Sequence, residues 1–127
     1  DHDPSELSAV PSNARVEQTV PHSAVLENAA FIVGHAGHGS VMKALWYGRP
    51  MVLVPWGRDQ PGVADRAAAL GVAEVVARDN ATEEALSAAV GRMLGNDEML
   101  RIAFAQSERL RATDPPAAAA SLLEAVL

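Results

Sequence analysis

Cysteine is absent from the 127 residues of this sequence. Its absence excludes a disulfide framework, a thiolate metal site and a cysteine nucleophile. Proteins of reducing compartments do not depend on disulfides, so we expect a cytoplasmic protein.

Long hydrophobic runs are also absent. The longest apolar segments include residues 51–55 and 117–120, whereas a membrane-spanning helix needs roughly 20 such residues. The sequence therefore predicts no membrane span. With 49% hydrophobic and 20% charged residues, the composition is typical of one globular domain.

Positive charge is scarce, because 10 Lys and Arg residues stand against 16 Asp and Glu residues, a net charge of −6. This balance argues against a nucleic-acid polymer as partner, since contact with a phosphate backbone needs a basic surface. The chain begins with Asp1 and no targeting segment follows it. We therefore expect a piece of a longer protein.

The first part of the chain alternates apolar, β-branched segments with short helical ones. The predicted strands cover residues 15–20, 30–34, 51–55 and 72–77, and the predicted helices between them cover residues 23–28, 40–47 and 61–70. This order predicts βα units with a parallel sheet between two layers of helices. Residues 31–33 and 51–54 are continuously apolar, which is typical of strands buried on both faces.

After residue 77 the pattern is helical throughout. Residues 80–82 can cap a predicted helix that has Glu83 and Glu84 in its first turn and a face of Leu86, Val90 and Leu94. Gly95 ends this helix, a second runs from residue 96 to 111, and a third follows Asp114 to the end of the chain.

The strongest local signal is the loop Gly34-His35-Ala36-Gly37-His38-Gly39-Ser40 between a predicted strand and a helix. Glycines let a backbone approach a ligand, and helix N-terminal amides favour an anion such as a phosphate. The alternative is that the glycines only permit a tight turn. The flanking histidines and the strand–loop–helix context favour phosphate binding.

Other motifs fit these residues less well. Met42 stands where a dinucleotide fingerprint needs a small residue, no Gly-Lys-Ser/Thr forms a P-loop, and residues 40–43 match S-x-x-K without its companion motifs. A metal site of His22, His35 and His38 lacks a nearby carboxylate. We therefore expect no metal.

The loop Pro55-Trp56-Gly57-Arg58-Asp59-Gln60 follows the next predicted strand. Because parallel strands end at the same edge of a sheet, this loop should face the same crevice. Asp59 and Gln60 could hold sugar hydroxyls, or Asp59 could simply cap the following helix. Trp56 could be a stacking platform, but we favour a part-buried packing residue.

Together these segments resemble the C-terminal, nucleotide-sugar-binding half of two-domain (GT-B) glycosyltransferases of family 1, above all bacterial enzymes that glycosylate natural products. Residues 35–40 match H-x-G-x-G-S/T, residues 48–55 match G-x-P-h-h-h-x-P (h, hydrophobic), and residues 59–60 match D-Q. Upstream, residues 11–16 and 20–22 resemble P-x-N-x-R-V and V-P-Q.

The resemblance implies a Rossmann-like α/β fold, a three-layer parallel sheet flanked by helices, forming the C-terminal half of a GT-B fold whose N-terminal part is missing. Residues 1–127 would be a partial donor-binding domain. Within it we expect a lead-in loop over residues 1–14, βα units over 15–77 and C-terminal helices over 78–127.

The resemblance also implies residue roles. The donor diphosphate would be held by His35, Gly37, His38, Gly39 and Ser40. The donor sugar would be held by Asp59 and Gln60, and the nucleotide base and ribose would border Val20, His22 and Lys43. Lys43 stands where many members have a glutamate for the ribose, and His22 replaces a glutamine.

The implied function is donor binding in an inverting enzyme that moves a hexosyl group from a UDP- or TDP-sugar to a small hydroxylated acceptor. The nucleotide sugar would be a co-substrate, and no cofactor is expected. The family's general base lies in the N-terminal domain, so we expect no catalytic residue in this chain and no turnover by it alone. The alternative is a non-catalytic nucleotide-diphosphate-binding module completed by a partner chain.

Overall fold

The computed structural model describes residues 9–126 of the chain. Along these residues the helices and strands alternate and then give way to helices alone. Their bounds are α1 His22–Leu26, β1 Ile32–Gly34, α2 His38–Trp46, β2 Met51–Leu53, α3 Gln60–Ala69, β3 Ala73–Val75, α4 Glu83–Leu94, α5 Asp97–Ala112 and α6 Pro115–Glu124. A 3₁₀ turn covers Arg78–Asn80.

The three strands form one parallel sheet in the order β1-β2-β3. Ile32 pairs with Met51 across the first ladder, and Met51 pairs with Ala73 across the second. Helices α2 and α3 make the crossovers between these parallel strands. The α/β fold with a parallel sheet is therefore confirmed.

Strand β2 lies at the centre of the sheet and is buried on both faces, as its apolar run predicts. Met51 and Leu53 point into one core, whereas Val52 points into the other. The first core contains residues of α2, α3 and α5, among them Ala44, Leu45, Ala64, Ala67 and Ala103. The second contains Val76, Ala89, Met93 and Met99.

Two strand predictions are wrong. Residues 15–20 form an exposed irregular segment instead of a strand, because none of the described strands pairs with them. Strand β1 is not buried on both faces, since it lies at the edge of the sheet and Val33 is 50% exposed. An apolar run predicts burial, but it does not reveal whether a neighbour is present to provide it.

The predicted caps of the last three helices are confirmed. The side chains of Thr82, Asn96 and Asp114 accept hydrogen bonds from the backbone N–H groups three residues later, at 3.2, 3.0 and 3.1 Å. The buried face of α4 differs from the prediction, because Met93 is 1% exposed and Leu94 is 53% exposed.

Helix α3 buries Ala64 and Ala67, whereas Leu70 just beyond the helix is 45% exposed. None of the helices in residues 9–126 combines the length and the apolar character that a membrane crossing requires.

Candidate functional site

The glycine-rich loop connects the end of β1 to the start of α2. Strand β1 ends at Gly34, Gly37 is the N-cap residue of α2, and His38 is its first residue. Between them Ala36 is 1% exposed and has a left-handed backbone with φ of 63°. This conformation costs an L-residue about 1–2 kcal/mol. Burial of the Ala36 methyl group in the core helps to hold the loop in this strained form.

The N-terminus of α2 leaves some amides free and engages others. The backbone N–H groups of Ser40 and Val41 both donate to the Gly37 carbonyl, each at 3.0 Å. The N–H groups of His38 and Gly39 are the first two of the helix, and no earlier helical carbonyl is in place to accept from them. An anion at this end could therefore be bound by these two amides and by the Ser40 hydroxyl, but not by the Ser40 amide.

The imidazole of His35 lies against the backbone of Gly37. A methyl group placed on Gly37 would come within 2.8 Å of His35 Nε2. Because glycine has no Cβ, the His35 ring can lie over the loop at this position. His35 is itself exposed, so its ring is accessible to a ligand.

A cleft of about 260 Å³ opens beside the glycine-rich loop. Its walls come from the segment that contains α1, from β1 and from the start of α2. The lining residues are Val20, His22, Val25, Leu26, Ile32, Val33, Gly34, His35, Ala36, Ser40, Val41 and Leu53. This lining set includes no acidic side chain, so the cleft carries no fixed negative charge although the chain as a whole is acidic.

Lys43 approaches the same cleft from α2. Its ammonium Nζ lies 3.5 Å from Nδ1 of His22. Of the three residues predicted for the base and ribose, Val20 and His22 line the cleft and Lys43 contacts His22.

Asp59 and Gln60 lie on the neighbouring loop after β2 and are not among the residues that line this cleft. The Gln60 side-chain oxygen accepts hydrogen bonds from the backbone N–H groups of Trp56 at 2.8 Å and Gly57 at 3.3 Å. Only its amide NH₂ is left to donate to a sugar. Asp59 is exposed and occupies the N-cap position of α3, but among the described residues its side chain makes no cap hydrogen bond. Asp59 therefore starts the helix by its position, without the stabilisation that a side-chain cap provides.

Trp56 is 62% exposed, so the expected part-buried packing is wrong. The guanidinium of Arg78 lies 4.4 Å from the centre of its ring, a cation–π contact. Because Arg78 follows β3, this contact joins the loops after β2 and β3 at the carboxyl edge of the sheet.

Metal ligands are not assembled here. Within residues 9–126, no three His, Asp or Glu side chains come close enough together to hold a metal ion.

Arg49 is a residue whose structural role the sequence analysis missed. Its guanidinium donates to the carbonyl oxygens of Leu26 at 2.8 Å and Glu27 at 2.6 Å. These partners are more than 20 residues away in the sequence, and nothing in the local pattern signals the contact.

Known proteins are similar to this chain in sequence and in fold. Residues 1–126 match the family model described as erythromycin biosynthesis protein CIII-like, C-terminal domain. Oleandomycin glycosyltransferase of Streptomyces antibioticus is 37% identical over 98 residues, which are 77% of this chain and 23% of that protein.

Two solved structures extend the similarity. The glycotransferase of kitacinnamycin superimposes with a TM-score of 0.86 at 34% identity, covering 99% of this chain and 33% of its own. The glycosyltransferase VinC, solved in complex with dTDP, gives a TM-score of 0.76 at 31% identity over 82% of this chain and 26% of its own. The chain thus spans about a third or less of the length of each relative.

Proposed function

Because this chain belongs to the family of erythromycin biosynthesis protein CIII-like C-terminal domains, the nucleotide-sugar-binding domains of GT-B glycosyltransferases, we propose that it binds the donor of an inverting glycosyl transfer. The donor is a UDP- or TDP-sugar that carries a hexosyl group, and the acceptor is a small hydroxylated molecule. A cytoplasmic location is part of the same proposal and is supported by the absence of cysteine.

The observation that carries this proposal is the cleft beside the glycine-rich loop. One wall of this cleft is apolar and suits a nucleotide base, and the pair of His22 and Lys43 lies beside it. The exposed His35 lies at the other side, before the N-terminus of α2. The free amides and the partial positive charge of that terminus favour a diphosphate. VinC, which shares the fold and 31% of the aligned sequence, was solved with dTDP.

The chemistry assigned to this chain is stabilisation of the leaving group. As the bond between sugar and diphosphate breaks, negative charge develops on the departing nucleoside diphosphate. The His35 side chain, the Ser40 hydroxyl and the amides of His38 and Gly39 would donate hydrogen bonds to this charge. Donors already placed where charge develops lower the barrier without further reorganisation.

The cleft is small for a donor and an acceptor together, because its volume of about 260 Å³ lies just below the range of about 300–1,000 Å³ of ligand pockets. We therefore propose that the acceptor and the general base come from the N-terminal half of the enzyme, and that this chain alone does not turn over. Release of UDP from UDP-glucose by the purified chain, in the presence of a phenolic acceptor, would contradict this.

Nucleotide binding is tested by calorimetry and thermal unfolding of the 127-residue chain with UDP and dTDP. At a ligand concentration tenfold above Kd, we expect stabilisation of about 1.4 kcal/mol, a rise in Tm of roughly 3–6 °C. His35→Ala should lower the affinity about tenfold or more, because it removes a charge-assisted donor.

Ser40→Ala tests the hydroxyl, and Ser121→Ala on the exposed face of α6 is its matched control. We expect weaker binding for the first and unchanged binding for the second. If neither nucleotide binds at millimolar concentration, the donor-site proposal is wrong. Binding by this chain without transfer when the N-terminal half is supplied would support the alternative of a non-catalytic module.

A further inference from the structure

The wall of the cleft that carries His22 is a short helix with few attachments of its own. Helix α1 has five residues, and only Leu26 among them is buried. A helix this short is not stable by itself in water. Its position, and with it the shape of the cleft, therefore depends on what fastens it to the rest of the molecule.

Arg49 provides such a fastening. Its Nε donates to the Leu26 carbonyl at 2.8 Å, and its Nη2 donates to the Glu27 carbonyl at 2.6 Å. These two carbonyls lie at the C-terminal end of α1, where the helix has no N–H groups of its own to offer them. A cation also interacts favourably with the negative end of a helix.

The other end of this connection is rigid. The backbone N–H of Arg49 donates to the Ala44 carbonyl of α2 at 2.8 Å. The next residues, Pro50 and Met51, are fully buried at the start of β2. Arg49 thus links the end of α1 to α2 and to the central strand through three hydrogen bonds.

We propose that Arg49 is a positioning residue for the nucleoside side of the cleft. It holds α1 so that His22 stays within reach of Lys43 and Val25 stays on the cleft wall. The inference rests on the proposed donor-binding function. Arg49 does not line the cleft, so its effect passes through α1.

The proposal distinguishes two parts of a nucleoside diphosphate. The diphosphate subsite is built by β1, the glycine-rich loop and the start of α2, which do not depend on α1 for their backbone hydrogen bonds. The nucleoside faces the wall that contains α1. Loss of Arg49 should therefore weaken binding of UDP or dTDP but leave binding of inorganic pyrophosphate unchanged.

The test compares wild type, Arg49→Ala, Arg49→Lys and Arg101→Ala in the 127-residue chain. Arg101 is the matched control, because it is an exposed arginine on α5 that pairs only with Glu98 among the described residues. Calorimetry gives the affinities for UDP, dTDP and pyrophosphate. Hydrogen exchange of residues 22–29 reports how firmly α1 is held, without any ligand.

For Arg49→Ala we expect exchange in residues 22–29 to be about tenfold faster, UDP affinity to fall about tenfold, and pyrophosphate affinity to change less than twofold. Arg49→Lys should be intermediate, since an ammonium cannot reproduce the fork of two donors. Arg101→Ala should match the wild type in every measurement.

Three results would overturn the inference. Wild-type affinity for UDP in both Arg49 variants would show that α1 needs no such link. An equal loss of UDP and pyrophosphate affinity would show a general loss of structure. If Arg49→Ala does not fold, the comparison of UDP with pyrophosphate is made with Arg49→Lys. Failure of the wild type to bind any nucleotide would overturn the proposed function and this inference together, and hydrogen exchange would then report only on the link.

Discussion

At the scale of single residues, the backbone of Gly37 lies directly under the imidazole of His35. The side chain that is missing at position 37 decides where this ring can lie, because a Cβ there would approach Nε2 within 2.8 Å. The sequence motif predicts a glycine for close approach of a phosphate. The structure shows a second reason for glycine, which is the space for the neighbouring histidine.

Gly37→Ala should therefore move the His35 ring with little effect on stability, because the contact involves the far end of an exposed side chain. We expect UDP affinity to fall about fivefold to tenfold and Tm to change by less than about 2 °C. Calorimetry measures the UDP affinity, and thermal unfolding measures the Tm.

Gly91→Ala is the control, since a Cβ at that position of α4 meets no atom within 4 Å. It should raise stability by about 0.5–1 kcal/mol and leave binding unchanged. Unchanged UDP affinity in Gly37→Ala would refute the role given to the ring position.

The contact between His22 and Lys43 also belongs to this scale. Nζ of Lys43 lies 3.5 Å from Nδ1 of His22, although 21 positions separate the two residues in the sequence. Because the two side chains touch, a substitution at one of them alters the surroundings of the other.

At the scale of elements, the N-terminus of α4 shows how local chemistry determines a helix start. Thr82 accepts a hydrogen bond from Ala85, and Glu83 and Glu84 occupy the positive end of the helix dipole. The backbone N–H of Glu84 and the Thr82 hydroxyl donate to the Glu84 carboxylate and lower its pKa below the ordinary value. Because this pKa is lowered in the folded state, the ionised carboxylate favours folding.

The Glu84 contribution should be complete above the pKa of the unfolded chain and disappear as the pH falls through the lower folded-state pKa. We expect Glu84→Gln to have a lower Tm than wild type at pH 7, and we expect this Tm difference to shrink as the pH falls below the ordinary glutamate pKa of about 4.3. Thermal unfolding between pH 7 and pH 3 tests this. Glu83→Gln removes a charge from the same turn and separates the dipole contribution from the specific hydrogen bonds. A Tm difference that stays constant over this pH range would contradict the assignment.

Element boundaries were predictable where a cap or a glycine marks them. Thr82, Asn96 and Asp114 begin their helices as expected because capping is a contact between residues three apart. Residues 15–20 were not predictable in this way. They have the β-branched character of a strand, but a strand forms only beside a partner, and the described chain provides none for them.

At the scale of the whole molecule, a central strand with a separate core on each face organises the fold. Val52 and Met93 contribute to the core under α4, whereas Met51 and Leu53 contribute to the core under α2 and α3. Folded domains of this kind have a net stability of about 5–15 kcal/mol. The free-energy cost of one large cavity in either core is therefore a large fraction of this net stability.

Met93→Ala should destabilise the chain by about 2–5 kcal/mol, because it removes a fully buried side chain from the second core. The adjacent Leu94→Ala is the matched control, since Leu94 is 53% exposed and its truncation should cost less than about 0.5 kcal/mol. Urea unfolding gives both values. Equal losses for the two variants would mean that α4 presents a different face to the sheet.

The order of elements from β1 to β3, the helix caps and the place of the glycine-rich loop were determined by the sequence alone. Each depends on residues a few positions apart, whose hydrophobic period or hydrogen bonding is already present in the chain. The edge position of β1, the buried face of α4 and the exposure of Trp56 were decided only by the tertiary structure. The tertiary structure also decided the contact of His22 with Lys43 and the hydrogen bonds of Arg49 to the end of α1. These features depend on which distant segments pack against each other, and spacing along the chain does not encode that geometry.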